Sequence, residues 1–262
     1  MSEYSLLEFN IDGGIATITL NRPDSANAFN LVLATELNHA ANRCMHDPGI
    51  RVVVLAARGK LFSAGGDLSV MSEAGDHVDA ALKQLTDQLH AAFSTLMRMR
   101  APLIVAVNGA AAGIGLSLAL IGDITIASEK ASFTLAYTAA GLSPDGGSTY
   151  LLPKVIGIKR AKEMMITNRR LSAAEALDWG MVNQVVAPEA LNDETLTLAN
   201  SLAQGATNAF GSVKSLVLSS FSESFESQMV LEVEAIARNA MSEDGREGIQ
   251  AFLNKRSPVF KG

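Results

Sequence analysis

The sequence predicts an α/β protein with a largely parallel sheet, helices outside it, and a helical tail. Three observations carry this. The chain opens with a hairpin pattern. Short apolar, β-rich runs then alternate with stretches in which apolar residues recur every three or four positions. After Pro188 no convincing strand follows. The 262 residues, 48% apolar and 18% charged, suffice for one large core or a core with an appendage, and are too apolar for a disordered chain.

Each element has a local reason. Residues 6–10 and 15–20 are β-rich, and Asp12-Gly13-Gly14 between them tolerates the positive φ of a tight turn. Asn21-Arg22-Pro23-Asp24 ends the second strand. From Phe29 to Met45 an apolar stripe (Phe29, Leu33, Leu37, Ala40, Ala41, Cys44) predicts an amphipathic helix, broken by Asp47-Pro48-Gly49. Residues 52–56 read as a strand buried on both faces. A loop, 57–67, and a helix from the high 70s to Met99 follow. Residues 103–107 are a second buried strand, 108–115 a Gly/Ala-rich loop, 116–121 a helix, 124–127 a strand and 132–135 a short one. Ser143-Pro144-Asp145-Gly146-Gly147 is a turn. Residues 161–166 and 173–179 read as helices, the latter stopped by Gly180. Residues 182–186 form the last strand, and consecutive helices run from about Leu191. Their apolar faces imply packing against a neighbouring subunit.

Composition excludes several functions. With 21 Lys and Arg against 27 Asp and Glu, a net charge of −6 and no basic run, the chain is not built for nucleic acid or anionic membranes. No apolar run is long enough to cross a bilayer, and MSEYSLLEF, with Glu3 and Glu8, lacks a signal pattern, so a cytoplasmic location is expected. The single cysteine, Cys44, forms no disulfide framework and reads as a core thiol. His39, His46, His77 and His90 show no metal spacing, so no metal is expected. P-loop, GxGxxG and GxSxG patterns are absent.

Two similar strand–loop–helix junctions remain. One runs from residues 52–56 into Ser63-Ala64-Gly65-Gly66-Asp67-Leu68. The other runs from residues 103–107 into Asn108-Gly109-Ala110-Ala111-Ala112-Gly113-Ile114-Gly115. Such loops lie at the carboxyl ends of parallel strands, where ligands of α/β proteins bind. Small residues let a ligand approach the backbone, and unpaired N–H groups converging on one point stabilise an oxyanion. The same glycines equally serve tight turns and close helix–strand packing.

These two segments resemble the signatures of the crotonase, or enoyl-CoA hydratase/isomerase, superfamily. So do Asn21-Arg22-Pro23…Asn27-Ala28, Leu171-Ser172-Ala173-Ala174-Glu175-Ala176…Gly180-Met181-Val182 and Glu247-Gly248-Ile249-Gln250-Ala251-Phe252, in order along nearly the whole chain. The resemblance implies a crotonase-like ββα superhelix, with residues 1–195 as the spiral core holding the acyl-CoA site and 196–262 as a helical trimerisation region. It implies a homotrimer or dimer of trimers, acyl-CoA thioester substrates, a place in fatty-acid metabolism, and no metal or nicotinamide cofactor. The backbone N–H groups of Ala64 and Ile114 would form the oxyanion hole. Ala26, Ala64, Gly66, Asp67 and Leu68 would line the adenine and pantetheine path, with Gly113 also binding substrate.

Acid/base placement distinguishes the reactions of this superfamily. Hydratases carry two glutamates, and the matching positions here are Ser117 and Tyr137, neither a carboxylate. A carboxylate does stand in Ser143-Pro144-Asp145-Gly146-Gly147. The matching position is a glutamate in Δ3,Δ2-enoyl-CoA isomerases and an aspartate in epoxyphenylacetyl-CoA isomerases. The resemblance therefore implies an isomerase with Asp145 shuttling the proton, although the same residues are a turn signal by themselves. His90 matches a histidine of 4-chlorobenzoyl-CoA dehalogenases. The tryptophans of those enzymes are replaced here by Leu89 and Tyr137, and Trp179 lies elsewhere. Tyr137 would line the acyl pocket, hydrogen-bond Asp145 or simply pack in the core. Lys255 and Arg256 would meet CoA phosphates or simply end a helix in solvent. The alternatives are an enoyl-CoA hydratase, a dehalogenase-like enzyme, a CoA-binding protein without turnover, and an RNA-binding relative, which the missing basic run disfavours.

Overall fold

A computed structural model describes residues 4–262; Glu3, read above as part of the N-terminal pattern, lies outside them. The opening hairpin forms, β1 (Leu7–Asp12) pairing antiparallel with β2 (Ile15–Leu20). Helix α1 (Leu31–His46) is capped by Asn30, whose side chain accepts from the Leu33 N–H. Phe29, which periodicity alone places in this helix, precedes the cap and bridges to Gly66. Strand β3 (Val52–Ala57) leads through a loop to α2 (Leu68–Glu73) and α3 (Val78–Arg98). Strand β4 (Leu103–Val107) is followed by β5 (Ala110–Ala112), α4 (Ile114–Leu120), β6 (Ile124–Ser128) and β7 (Ser132–Thr134). Next come α5 (Ser148–Ile156), α6 (Ile158–Thr167), β8 (Leu171–Ser172), α7 (Ala173–Asp178) and β9 (Gln184–Val186). Helices α8 (Leu191–Ala203), α9 (Thr207–Ser219), α10 (Phe225–Met241) and α11 (Glu243–Leu253) complete the chain.

The main sheet has the order β1-β2-β3-β4-β6-β9. Only β1 runs antiparallel to its neighbour; the pairs from β2 to β9 are all parallel. A smaller sheet, β5-β7-β8, stands beside it. Sequence reading missed β5, because three alanines carry little strand preference, and β8, which has two residues. It also missed α5, where Pro153 within and Gly157 at the end disguise the helix, and the short α2.

Strands β3 and β4 are apolar throughout because both sheet faces are covered. Val53, Leu55, Leu103, Val105 and Val107 face α1 and α3 in the large core, whereas Val52, Val54, Ile104 and Ala106 face the second core with Leu191, Ala199 and Ala203. Helix α8 is therefore the sheet's outer cover. This corrects the domain boundary: the division between residues 195 and 196 falls inside α8, and the chain leaves the sheet only after Ala203. Beyond it, α9 is pinned to the core by Lys214. Its ammonium lies 2.7 Å from Asp123 and donates to the Ala101 carbonyl at 2.9 Å, while Asp123 accepts from the Leu103 N–H at 2.7 Å. Burial pushes the Asp123 carboxyl up and Lys214 down, and their mutual contact opposes both shifts. No helix of the described residues is long and apolar enough to cross a membrane.

Cys44 is buried on the inner stripe of α1, and burial pushes its thiol up to about 12. Because the thiolate is the reactive form, native protein at pH 8 is expected to show essentially no thiol titrating with Ellman's reagent. One thiol per chain should appear in denaturant; rapid reaction of folded protein would contradict this packing.

Candidate active site

The site starts from the register of the two central strands. Val53 pairs with Leu103 and Leu55 with Val105, so β3 and β4 end side by side and release their loops at the same edge. The β3 loop is latched by Asn27. This fully buried side chain donates to the carbonyls of Arg58 (2.8 Å) and Leu61 (2.9 Å) and accepts from the Arg22 N–H (2.8 Å). The Ser63 hydroxyl donates to the Asn27 carbonyl at 2.9 Å and accepts from the Gly65 N–H at 3.2 Å. The loop also bridges Ser63 to Ala111 of β5, which brings the second loop against the first. At the contact, Gly65 has φ of 106° and Gly113 of 52°. A Cβ on either glycine would lie 3.6 Å from the other's Cα, with the Ala112 carbonyl oxygen 3.1 Å from one on Gly65. Larger residues would strain the backbone and crowd this approach.

Hydrogen bonding revises one of the expected oxyanion donors. The Ala64 N–H is donated to the Ala26 carbonyl at 2.9 Å, so it is already committed. Two residues on, the parallel bridge to Phe29 uses the Gly65 carbonyl and the Asp67 N–H and leaves the Gly66 N–H without an acceptor among the described residues. Ile114, the first residue of α4, has no carbonyl one turn back to receive its N–H. Gly66 and Ile114 both line a cavity of about 320 Å3, together with Ala64, Leu68, Gly113, Tyr137 and Asp145. The cavity's apolar wall includes Leu82, Leu85 and Leu89 of α3, whose helical spacing is visible in the sequence although its target is not. Asp67 plays a different part from the one expected. Its side chain pairs with Arg22 at 2.6 Å and accepts from the Ser69 hydroxyl at 2.6 Å, capping α2. The Ser69 hydroxyl, then Arg22, hold the Asp67 carboxyl below the usual carboxylate range. Ala26, in the left-handed region with φ of 54°, supports the loop through its carbonyl and does not line the cavity.

Asp145 is brought to these donors by the turn that sequence reading marked. A Cβ on Gly146 would lie 2.3 Å from Ile114 Cδ1 and 3.0 Å from Ser117 Cβ, so only glycine lets the turn sit against the start of α4. The Asp145 carbonyl accepts from the hydroxyls of Ser117 (3.1 Å) and Ser148 (2.9 Å). Its carboxylate Oδ1 accepts from the Tyr137 hydroxyl, and Oδ2 lies 3.9 Å from His90 Nε2. The Gly146 N–H donates to His90 Nε2 at 3.2 Å, which places the proton of a neutral imidazole on Nδ1. Burial, then the Asp145 charge, raise the Tyr137 phenol far above its ordinary value, so it remains a neutral donor. His90 lines a neighbouring cavity rather than the one holding Gly66 and Ile114. Arg256 is paired with Glu247 at 2.5 Å, Lys255 stands just before it beyond the end of α11, and neither lines the cavity.

Comparison with known proteins gives the family of the chain. A family model described as enoyl-CoA hydratase/isomerase matches residues 10–262. The chain is 37% identical over 262 residues to the 1,2-epoxyphenylacetyl-CoA isomerase of Escherichia coli K12, covering 98% of this chain and all of that protein. It is 34% identical over 261 residues to the trans-2-decenoyl-acyl-carrier-protein isomerase of Streptococcus mutans, covering 99% of each. A solved enoyl-CoA hydratase from Polaromonas sp. JS666 superposes with a TM-score of 0.93 at 33% identity, covering 97% of this chain and 99% of that one. Full-length similarity of sequence and of fold, around two loops that meet at their glycines, places the chain in the enoyl-CoA hydratase/isomerase family, the crotonase superfamily.

Proposed function

We propose that this chain isomerises enoyl-CoA thioesters through an enolate, with Asp145 carrying the proton. The observation that carries the reading is that, among the described residues, Asp145 is the single carboxylate lining the cavity that also holds the unpaired N–H groups of Gly66 and Ile114. Those two N–H groups receive the thioester oxygen. Asp145 takes a proton from C2, negative charge moves onto that oxygen and is held by the two donors, and the same carboxyl returns the proton at C4. The double bond moves from C3–C4 to C2–C3, and atoms and charge balance without an oxidant, a metal or a second acid. Preorganised donors of this kind are worth about 3–4 kcal/mol each in the transition state. CoA enters and leaves as part of the substrate, so no separate cofactor is needed.

Hydration would need a second group to activate or protonate. The positions that would supply it hold Ser117, whose hydroxyl is engaged with the Asp145 carbonyl, and Tyr137, held neutral as a donor to Asp145. The two relatives named as isomerases support the same choice. The exposed apolar side chains of α9, α10 and α11, among them Val213, Val217, Phe225, Val233, Ile236 and Phe252, support assembly into a homotrimer or a dimer of trimers.

With a 3-enoyl-CoA, the ultraviolet absorbance of the conjugated thioester should appear, whereas a 2-enoyl-CoA should lose little of it; rapid loss with the second substrate would instead establish a hydratase. Asp145→Asn should lower kcat for isomerisation by about 10²–10⁴-fold with CoA-thioester affinity nearly kept, and retained turnover would remove Asp145 from the mechanism. Gly66→Pro deletes one donor and should lower kcat by about 10²–10³-fold in a variant that keeps its circular dichroism; an unchanged rate would show that another group holds the oxygen. Light scattering should return three or six times the 27.6 kDa chain mass, and a monomer alone would refute the assembly.

A further inference from the structure

The peptide unit between Asp145 and Gly146 is held at both edges. On the oxygen edge, the Asp145 carbonyl accepts from the hydroxyls of Ser117 at 3.1 Å and Ser148 at 2.9 Å. On the nitrogen edge, the Gly146 N–H donates to His90 Nε2 at 3.2 Å. A peptide unit is planar, so the two edges together set the tilt of the plane and the direction in which Asp145 aims its carboxylate. Gly146, in the left-handed region with φ of 61°, is pressed against Ile114, which leaves the turn no room to shift toward α4.

The two edges differ in chemistry. A serine hydroxyl donates at any ordinary pH. His90 accepts only through an unprotonated Nε2, and histidine is the side chain that ordinarily changes charge between about pH 5 and 8. A protonated ring carries N–H at both nitrogens, and its Nε2 then meets the Gly146 N–H donor to donor. The same nitrogen lies 3.9 Å from Asp145 Oδ2, the carboxylate oxygen not bonded to Tyr137. The His90 side chain is 50% exposed and, with Gly146, lines a second cavity of about 550 Å3 on the other side of the turn from the first, so solvent reaches the ring.

Few titratable or charged groups surround this ring. Asp87 and Arg98 stand on α3 itself, and Asp87 already pairs with Lys83 at 3.8 Å. Helix α5 brings Tyr150, with the Lys154 ammonium 3.5 Å from the centre of its ring. Helix α9 and the residues after it contribute Leu218 and serines, none of them charged. Among the described residues, Asp145 is the carboxylate within ion-pairing distance of His90.

We propose that His90 is a positioning residue that holds the Asp145 turn only while neutral, and that on protonation it releases Gly146 and pairs with the Asp145 carboxylate. The inference rests on the isomerase reading for the role of Asp145. Neutral His90 keeps the carboxylate aimed and free to take the C2 proton. Charged His90 frees one edge of the peptide plane and ties up the carboxylate in an ion pair.

The test is the pH profile of kcat with a 3-enoyl-CoA, for the whole protein and for His90→Gln, whose amide oxygen can accept from Gly146 but takes no charge. At pH 8 the two should agree within about threefold, and His90→Ala, which supplies no acceptor, should be about fivefold slower than His90→Gln. From pH 8 to pH 5 the ratio of wild-type to His90→Gln kcat should fall about tenfold; protonation of Asp145 itself affects both and cancels. A ratio that does not change with pH, or a His90→Gln variant as slow as His90→Ala at pH 8, overturns the proposal and leaves the isomerase in place. Spectra of wild-type protein carrying 15N-labelled histidine need neither turnover nor a folded His90 variant. The ring signal, among the four histidines, that Asp145→Asn shifts should show a bare Nε2 and a protonated Nδ1 at pH 8, and the opposite tautomer overturns the proposal. With no turnover at any pH the isomerase reading falls, and the ring spectrum alone then upholds or overturns the bond between His90 and Gly146.

Discussion

Two backbone N–H groups without acceptors among the described residues, at Gly66 and Ile114, are the feature around which this molecule is arranged. An unpaired polar group beside an apolar cavity costs free energy, and most such groups in proteins are paired. The backbone around them is held by committed hydrogen bonds. Ala64 is committed to Ala26, Asp67 to Phe29, Ala112 to Ser63 and Gly113 to Thr134. The buried Asn27 side chain fastens the same loop to the residues that leave β3. The parallel register of β3 and β4 is what brings both loops to one edge, and the contact between Gly65 and Gly113 is what lets them touch.

The electrostatics of the cavity follow from a single charge. Tyr137 and Ser117 surround Asp145 with neutral groups, one bonded to its carboxylate and the other to its carbonyl. The carboxylate is thereby oriented, with Oδ1 engaged by the phenol and Oδ2 toward His90. Under the function proposed above, such an environment suits a proton carried out and back by one group. Asp67, the other carboxylate of the signature loop, is spent on Arg22 and Ser69 and shapes the loop from behind.

The C-terminal helices have two distinct duties. Helix α8 covers the outer face of the sheet and accounts for the unbroken apolar character of β3 and β4. Helix α9 leaves that layer, is pinned by the Lys214–Asp123 pair, and lines the second cavity with Ser215, Leu218 and Ser219. The pair costs desolvation on both sides and is held by additional bonds to main-chain groups at the start of β4. Its position suggests why a charge pair is kept there: it sets where the helical tail meets the core.

Much of this was legible in the sequence, because it depends on local chemistry. The hairpin, the buried strands at 52–56 and 103–107, the stripe of α1 with its core thiol, the glycine loops and the Asp145 turn all follow from side-chain size, periodicity and turn preference. What sequence could not decide depends on partners far along the chain. Strand β5 exists because β7 and the Ser63 loop pair with three alanines that have no strand preference of their own. Helix α8 belongs to the core because a sheet face is there to receive it. The choice of Gly66 over Ala64 as the free donor is invisible in composition, since both are small residues on one loop; only the acceptor at Ala26, 38 positions upstream of Ala64, separates them. Hydrogen-bond competition among groups distant in sequence is a property of the folded chain. For that reason the sequence by itself determined the family and marked the turn that carries Asp145, and the tertiary structure decided which backbone groups are left free beside the cavity.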